Sequence, residues 1–378
     1  MSYEKIIEQN KQWIDETWQK LENKLSRLAV KSYDKIPYTT VDGVHDTRTS
    51  DKDITRWTNG FWGGLMWLMY AETKKECYKL TAQNSEKMMD RALANVTKLD
   101  HDVGFIWHIM SGASYRLTGD MQSRNRDILS AMTLASRYNI DGDFITAWNA
   151  PKVKGWTIID TMMNLPQLYW ISRELDNSRF EKIARRHADM AMRDHVRSDG
   201  SVNHIVSHEF DSVGVIETIG GQGYGVGSCW SRGASWALYG FALSYIHTKE
   251  EKYLDTAKRV AHYFISSLAA TDWLPLIDFR APAEPVKYDS TAGAIAACGL
   301  IEIAKAVPEH EKRLYLTAAI NILRAMDKAW CNYGEEEDGI LLFGSERYGD
   351  CEHMHIIYGD YFFTEAILKL KGSDFLAW

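Results

Sequence analysis

The chain predicts an all-α fold, an (α/α)6 barrel of six helical hairpins forming a single domain over residues 1–378. Three observations predict it. Two kinds of helical segment alternate along the sequence, a turn of fixed spacing recurs between them, and the longest connections fall before one kind only.

Segments of the first kind are amphipathic and run over Tyr3–Leu28, Glu76–Leu99, Met121–Tyr138, Arg179–Val196, Glu250–Leu268 and Glu309–Trp330. In Glu250–Leu268, apolar residues recur at Tyr253, Ala257, Val260, Ala261, Phe264, Ile265 and Leu268, the stripe of a half-buried helix. Segments of the second kind are apolar nearly all round and rich in small residues. Asp289–Ala306 is the clearest, and others start near Trp57, Val103, Met162, Ser231 and Gly359. A helix without a polar face must be enclosed on all sides. Alternation of the two kinds therefore predicts an inner ring wrapped by an outer ring, with the N-terminal helix as the sixth outer member. The turns Thr73–Tyr78, Leu175–Phe180 and Thr248–Tyr253 share one spacing, and Thr118–Ser123 keeps it weakly. They mark a divergent repeat whose period drifts too widely for a regular solenoid. The long connections Ile140–Ile159 and Arg197–Cys229 precede inner helices. They should roof a cleft over the helix N-termini, where free backbone N–H groups favour anionic ligands.

Composition narrows the partners. The net charge of −7 and the lack of a Lys/Arg block argue against nucleic acid. The longest mostly apolar run, Gly60 to Tyr70, is too short to span a membrane. The first residues lack the apolar core of a secretion signal, and the five cysteines form no CxxC pair. A cytoplasmic protein with reduced thiols is expected, monomeric or weakly self-associating. Fourteen Trp and nineteen Tyr suit either sugar stacking or aromatic packing. No cofactor fingerprint appears. His101, His204 and His208 make no convincing metal set, because HIVSH lacks the HExxH acid, so neither metal nor cofactor is expected.

The chemistry gathers where the inner helices begin. These starts read WTNGFW, DHDVGF, IIDTMMNLP, CWSRGASW, YDSTAGA and YGDYFF, and four of the six carry an Asp. An Asp at a helix start is most often an N-cap, the reading favoured for Asp289 and Asp360. Asp102 and Asp160 are the candidates for chemistry. Asp160 follows the apolar pair Ile158-Ile159, so desolvation is expected to raise its pKa, as a proton donor requires. Trp57, Trp230 and Trp236 can serve cleft or core. Arg232 needs an anionic partner, either an Asp of the ring or a substrate carboxylate.

At these motifs the sequence resembles the unsaturated glucuronyl hydrolases of glycoside hydrolase family 88, over nearly the whole stretch from Trp57 to Leu370. WTNGFWGGLMWLMY, DHDVGF, IIDTMMNLPQLYW, CWSRGASWALYGFAL and IYGDYFFTEAILKL carry the resemblance. It implies an (α/α)6 barrel, Asp160 as general acid and base, and Asp102 as a second essential carboxylate that helps keep Asp160 protonated. It also implies substrate contacts from Trp57, Phe61, His101, Trp148, Gln222, Trp230, Arg232 and Trp236, and less securely from His204. The implied reaction hydrates the C4=C5 vinyl ether that polysaccharide lyases leave on a terminal uronic acid. The rule relating carboxylate separation to stereochemistry does not apply to such a reaction. Three rivals compete: an unsaturated rhamnogalacturonyl hydrolase acting on pectin fragments, an inverting glycosidase with two carboxylates, and a non-catalytic helical scaffold. The stretch before the last GDY, GSERYGDCEHMHIIYGDY, lacks the Ser/Lys-rich pattern that family members suited to sulfated disaccharides can carry.

Overall fold

The structure, a computed structural model, describes residues 2–378. Among these residues twelve helical elements carry the architecture. They are α1 (Tyr3–Lys31), α2 (Phe61–Thr73), α3 (Glu76–Leu93), α4 (Val103–Trp107, continued by a π turn over His108–Gly112 into Ala113–Thr118), α5 (Met121–Ser136), α6 (Leu165–Glu174), α7 (Arg179–Asp194), α8 (Ser231–Thr248), α9 (Glu251–Leu268), α10 (Ser290–Ala306), α11 (Glu309–Trp330) and α12 (Ile357–Lys371). The even-numbered helices pack side by side in sequence order, and α12 returns to α2 to close the ring. Each is backed by an odd-numbered helix, with α1 behind α12. This is the α/α toroid that the alternating segments predict.

Burial follows the two kinds of segment. Every residue of α10 from Ser290 to Ala304 and of α8 from Ser231 to Ser244 is buried. In α9 burial is confined to a stripe that includes Tyr253, Ala257, Val260, Ala261, Phe264 and Leu268. Three of the four recurring turns share a mechanism, and the Leu175–Phe180 turn, which has no threonine, does not. The hydroxyls of Thr73, Thr118 and Thr248 each donate to the carbonyl four residues earlier, at 2.7 Å, and accept the N–H two residues later. The next residue, Lys74, Gly119 or Lys249, is left-handed and ends the helix.

Several predicted boundaries shift, among them the helix expected from Trp57, which begins at Phe61 after a 3-10 turn over Trp57–Gly60. Two shifts have a clear local cause. The segment expected to reach Leu99 stops at Leu93, because Asn95 and the β-branched Val96 and Thr97 favour a short 3-10 turn. The helix expected from Met162 begins at Leu165 with Pro166 in its first turn, where a missing N–H is harmless. Ile159–Met163 forms a separate 3-10 turn ahead of it. The two long connections meet in an antiparallel sheet of β1 (Trp156–Ile158), β2 (Ile205–His208) and β3 (Val215–Ile219), in that order. The patterning gave no hint of the last residues, which fold back into the core. Trp378 stacks on Phe362 with centroids 5.7 Å apart, and Arg116 donates to the carbonyls of Leu376 and Ala377. No helix of the described residues is long and apolar enough to cross a membrane.

Candidate active site

Asp160 owes its position to the sheet. Ile158 pairs with Ile205, and the Ile159 N–H donates to the His204 carbonyl at 3.1 Å, which sets Asp160 beside His204. From the rear, Thr157 Oγ1 meets His195 Nε2 at 2.8 Å and fixes the strand. His204 Nδ1 accepts the Gln222 N–H at 3.0 Å, so the ring proton sits on Nε2. That nitrogen lies 3.5 Å from Asp160 Oδ1, beyond a strong hydrogen bond, and Oδ1 has no other partner. The His204 ring leans on Trp230, centroids 4.3 Å apart.

Asp102 sits in the turn that enters α4. The His101 N–H donates to Ala147, His101 Nδ1 meets Thr161 Oγ1 at 2.7 Å, and His101 Nε2 lies 3.5 Å from Asp102 Oδ2. The Asn164 amide donates to Asp102 Oδ1 at 3.1 Å. Asp100, His101 and Asp102 alone among the described residues bring three ligand atoms within 4.8 Å, close enough to share a cation. Two of these donors already serve the turn, His101 Nδ1 through Thr161 and Asp100 Oδ1 by accepting the Asp102 N–H.

The two carboxylates keep 8 % of their surface open and differ in proton affinity. Burial, then the charges of Asp100 and Asp160, push Asp102 well above the usual carboxylate range; Asn164 and Arg137 oppose this only in part. Burial also pushes Asp160 upward, but the His204 contact, His101 and the Arg232 guanidinium more than offset it, and Asp160 falls below the usual range. The expectation of a raised pKa at Asp160 is thereby corrected. The proton therefore favours Asp102, which faces two other carboxylates, over Asp160, which has the His204 contact and the Arg232 guanidinium.

Arg232 is 1 % exposed and spends its Nη groups inside the protein. It donates to Asp289 at 3.0 Å, to the Ser345 carbonyl, and to the Glu346 carbonyl at 2.6 Å. Of the two partners considered for it, the ring Asp is the one present. Its guanidinium also lies over the rings of Trp230 and Tyr358, 4.5 and 5.3 Å from their centroids. Gln222 Nε2 donates to the same Glu346 carbonyl at 2.6 Å, so Arg232 and Gln222 anchor one loop together.

Trp57 is half-buried at the mouth, its ring 5.0 Å from Tyr358 and 5.2 Å from Phe105. Phe61 and Trp236 are sealed beneath it and form the floor rather than a wall. Trp148 stands exposed on the rim near Trp156. Asp289 caps α10 as expected. Asp360 departs from expectation, because it accepts the N–H groups of Ile340 and Leu341 and meets His355 instead of capping its own helix. Sequence reasoning passed over Asn164, Tyr358 and Glu346. All three stand inside quoted stretches, and only the fold shows what they touch.

A closed helical toroid with buried carboxylates and tryptophans at one mouth fits a glycoside hydrolase, and the relatives of the chain carry that class. No protein-family model matches the chain. It is 33% identical over 356 residues to the unsaturated glucuronyl hydrolase of Bacillus sp. (strain GL1), covering 92% of this chain and 93% of that one. It is 32% identical to the unsaturated chondroitin disaccharide hydrolase of Streptococcus pneumoniae (strain ATCC BAA-255 / R6), over 86% of this chain and 84% of that one. The crystal structure of the unsaturated glucuronyl hydrolase from Bacillus sp. GL1 superposes with a TM-score of 0.87 at 30% identity, covering 94% and 97% of the two chains. The chain belongs to the unsaturated glucuronyl hydrolase family.

Proposed function

We propose that this enzyme removes the terminal 4,5-unsaturated uronic acid from lyase-generated disaccharides of the glycosaminoglycan type, with Asp160 as acid and base. One observation carries the reading: Asp160 Oδ1, buried at the mouth of the ring, is left without a hydrogen-bond partner beside a second carboxylate that favours a proton. With one carboxyl favouring a proton and its neighbour disfavouring it, the pair carries one proton over the pH range between them. An incoming uronate brings negative charge toward Asp160 and raises its proton affinity, so the shared proton becomes available there.

Asp160 then delivers that proton to C4, and positive character develops at C5 and the ring oxygen. The carboxylate so formed takes a proton from the water that bonds to C5. The product is a hemiketal at C5, which opens to the ketone and frees the neighbouring sugar. Asp102 returns to the ionised form during the transfer, held by the Asn164 amide. Trp57 and Trp148 supply aromatic faces for the sugar rings, with His101 and His204 at the two carboxylates. Trp230, 2 % exposed, packs behind His204 and Arg232 instead of meeting a sugar. Gln222 and Arg232 support the Glu346 loop, while Phe61 and Trp236 form the floor beneath Trp57.

The names of the two relatives, one for glucuronyl and one for chondroitin disaccharide substrates, favour glycosaminoglycan fragments over pectic ones. The closed ring of α2 to α12 supports a single catalytic unit over residues 1–378, and we expect a monomer or weak homo-oligomer in the cytoplasm. An absorbance assay over sulfated, unsulfated and pectic unsaturated disaccharides tests the reading. Loss of the double-bond signal is expected with glycosaminoglycan disaccharides. Turnover confined to pectic substrates, or to saturated glycosides, would reject it.

A further inference from the structure

We infer that Asn164 is a positioning residue that couples the two carboxylates and sets the pH range in which their shared proton is available. Asn164 occupies the joint between the 3-10 turn carrying Asp160 and helix α6. An Asn at a helix start ordinarily caps its own helix. This one makes no such bond, and its fully buried side chain crosses to the neighbouring inner helix instead. There Nδ2 donates to Asp102 Oδ1 at 3.1 Å and to the Asp160 carbonyl at 3.3 Å, while Oδ1 accepts the Phe105 N–H at 3.0 Å. One amide thus touches both segments that carry the carboxylates, and the Phe105 bond fixes which end of the amide faces Asp102.

The packing is built for this crossing. A methyl at Gly104 would come within 2.7 Å of Asn164 Oδ1 and 3.0 Å of its Cα, so only glycine allows the two segments to approach. This gives the Gly of DHDVGF a physical role. Electrostatically, Asp102 faces Asp100 and His101 from its own turn, and Asp160 and Arg137 from elsewhere; Asp160 faces His204, His101 and Arg232. Among these groups Asn164 is the direct hydrogen-bond donor to the Asp102 side chain, and a donor to the ionised form favours ionisation. Removing it leaves the pair holding its proton to higher pH.

The inference rests on the acid and base reading of Asp160, and the test separates the two. The pH dependence of kcat and kcat/KM is measured on an unsaturated disaccharide, with thermal melts to verify folding. Asn164→Leu removes the donor without adding a charge beside Asp102, and Gly104→Ala removes no polar group but pushes the amide away. For both, the alkaline limb is expected to move up by about one pH unit. The kcat at the optimum should fall about 10- to 100-fold with KM changed less than about threefold. Folded variants whose limb stays in place would overturn the inference, since a merely structural Asn would lower kcat without moving it. Asp160→Asn is the control: if it keeps turnover, the underlying reading fails. If it is inactive while the limbs of the other variants stay put, only the role of Asn164 fails.

Discussion

Four aspartates stand at the mouths of inner helices, and they divide into an open pair and a sealed pair. Asp289 is 0 % exposed and accepts from Thr291, Ser345 and Arg232; Asp360 is 1 % exposed and accepts from Ile340, Leu341 and His355. Asp102 and Asp160 stay 8 % exposed, the first accepting a single side-chain amide and the second left with an unpartnered oxygen. The same residue type in the same topological place thus has two uses. Where the lone pairs are filled, the carboxylate joins loops to the ring. Where they are left open in a buried setting, it is available to a ligand.

The largest expected effect tests the open pair. Asp160→Asn should lower kcat by about 10,000-fold, near the upper end of what general acid–base catalysis supplies. It should still fold and melt cooperatively, since Asp160 Oδ1 accepts no hydrogen bond from the fold, with a melting temperature at neutral pH lowered by the loss of the His204 contact. A variant with near-normal turnover would collapse the distinction. The sealed pair should behave in the reverse way. Asp360→Ala strands the N–H groups of Ile340 and Leu341 and the His355 ring, so a stability loss of about 3 kcal/mol is expected in denaturant unfolding. Turnover per folded molecule should survive.

The division could not be read from the sequence, although much around it could. Enclosed and amphipathic helices were legible because their burial differs residue by residue, as α10 and α9 demonstrate. The threonine turns were legible because one local bonding scheme repeats. What a mouth aspartate accepts is decided by partners far along the chain: Ser345 for Asp289, Leu341 for Asp360, Asn164 for Asp102. Resemblance assigned Asp160 a role, but its proton affinity depends on His204, His101 and Arg232, and that direction came out opposite to the desolvation argument. The insertion of Trp378 into the core was equally hidden, because no periodicity marks a tail that packs through a single indole.

Protonation offers a finer test within the open pair. Asp102 is held above its unfolded range, so its contribution to stability is complete at low pH. That contribution is lost as pH rises from about 4 toward the folded-state pKa. Asp160 is held below its unfolded range, so its contribution is present at neutral pH and lost on acidification. Asp102→Asn should therefore become more stable relative to the parent as pH rises above about 4, whereas Asp160→Asn should lose relative stability over the range where the unfolded carboxyl ionises. Urea unfolding at several pH values reads both signs. Matching slopes for the two variants would show that the site does not polarise the pair.

The smallest effect expected is at the rim. Trp148 is 37 % exposed and packs on Trp156, so its removal uncovers little core. Its loop is nevertheless tied to the open pair, because the His101 N–H donates to Ala147, and Asn149 donates to Leu99 and accepts from Arg137. On the proposed reading, an indole held on such a framed loop meets a sugar ring without touching the reacting atoms. Trp148→Ala should accordingly raise KM about fivefold, matching a contact of about 1 kcal/mol, with kcat and melting temperature unchanged. A fall in kcat instead would mean that the loop helps to set the Asp102 turn, and that the open pair is supported from above as well as from Asn164.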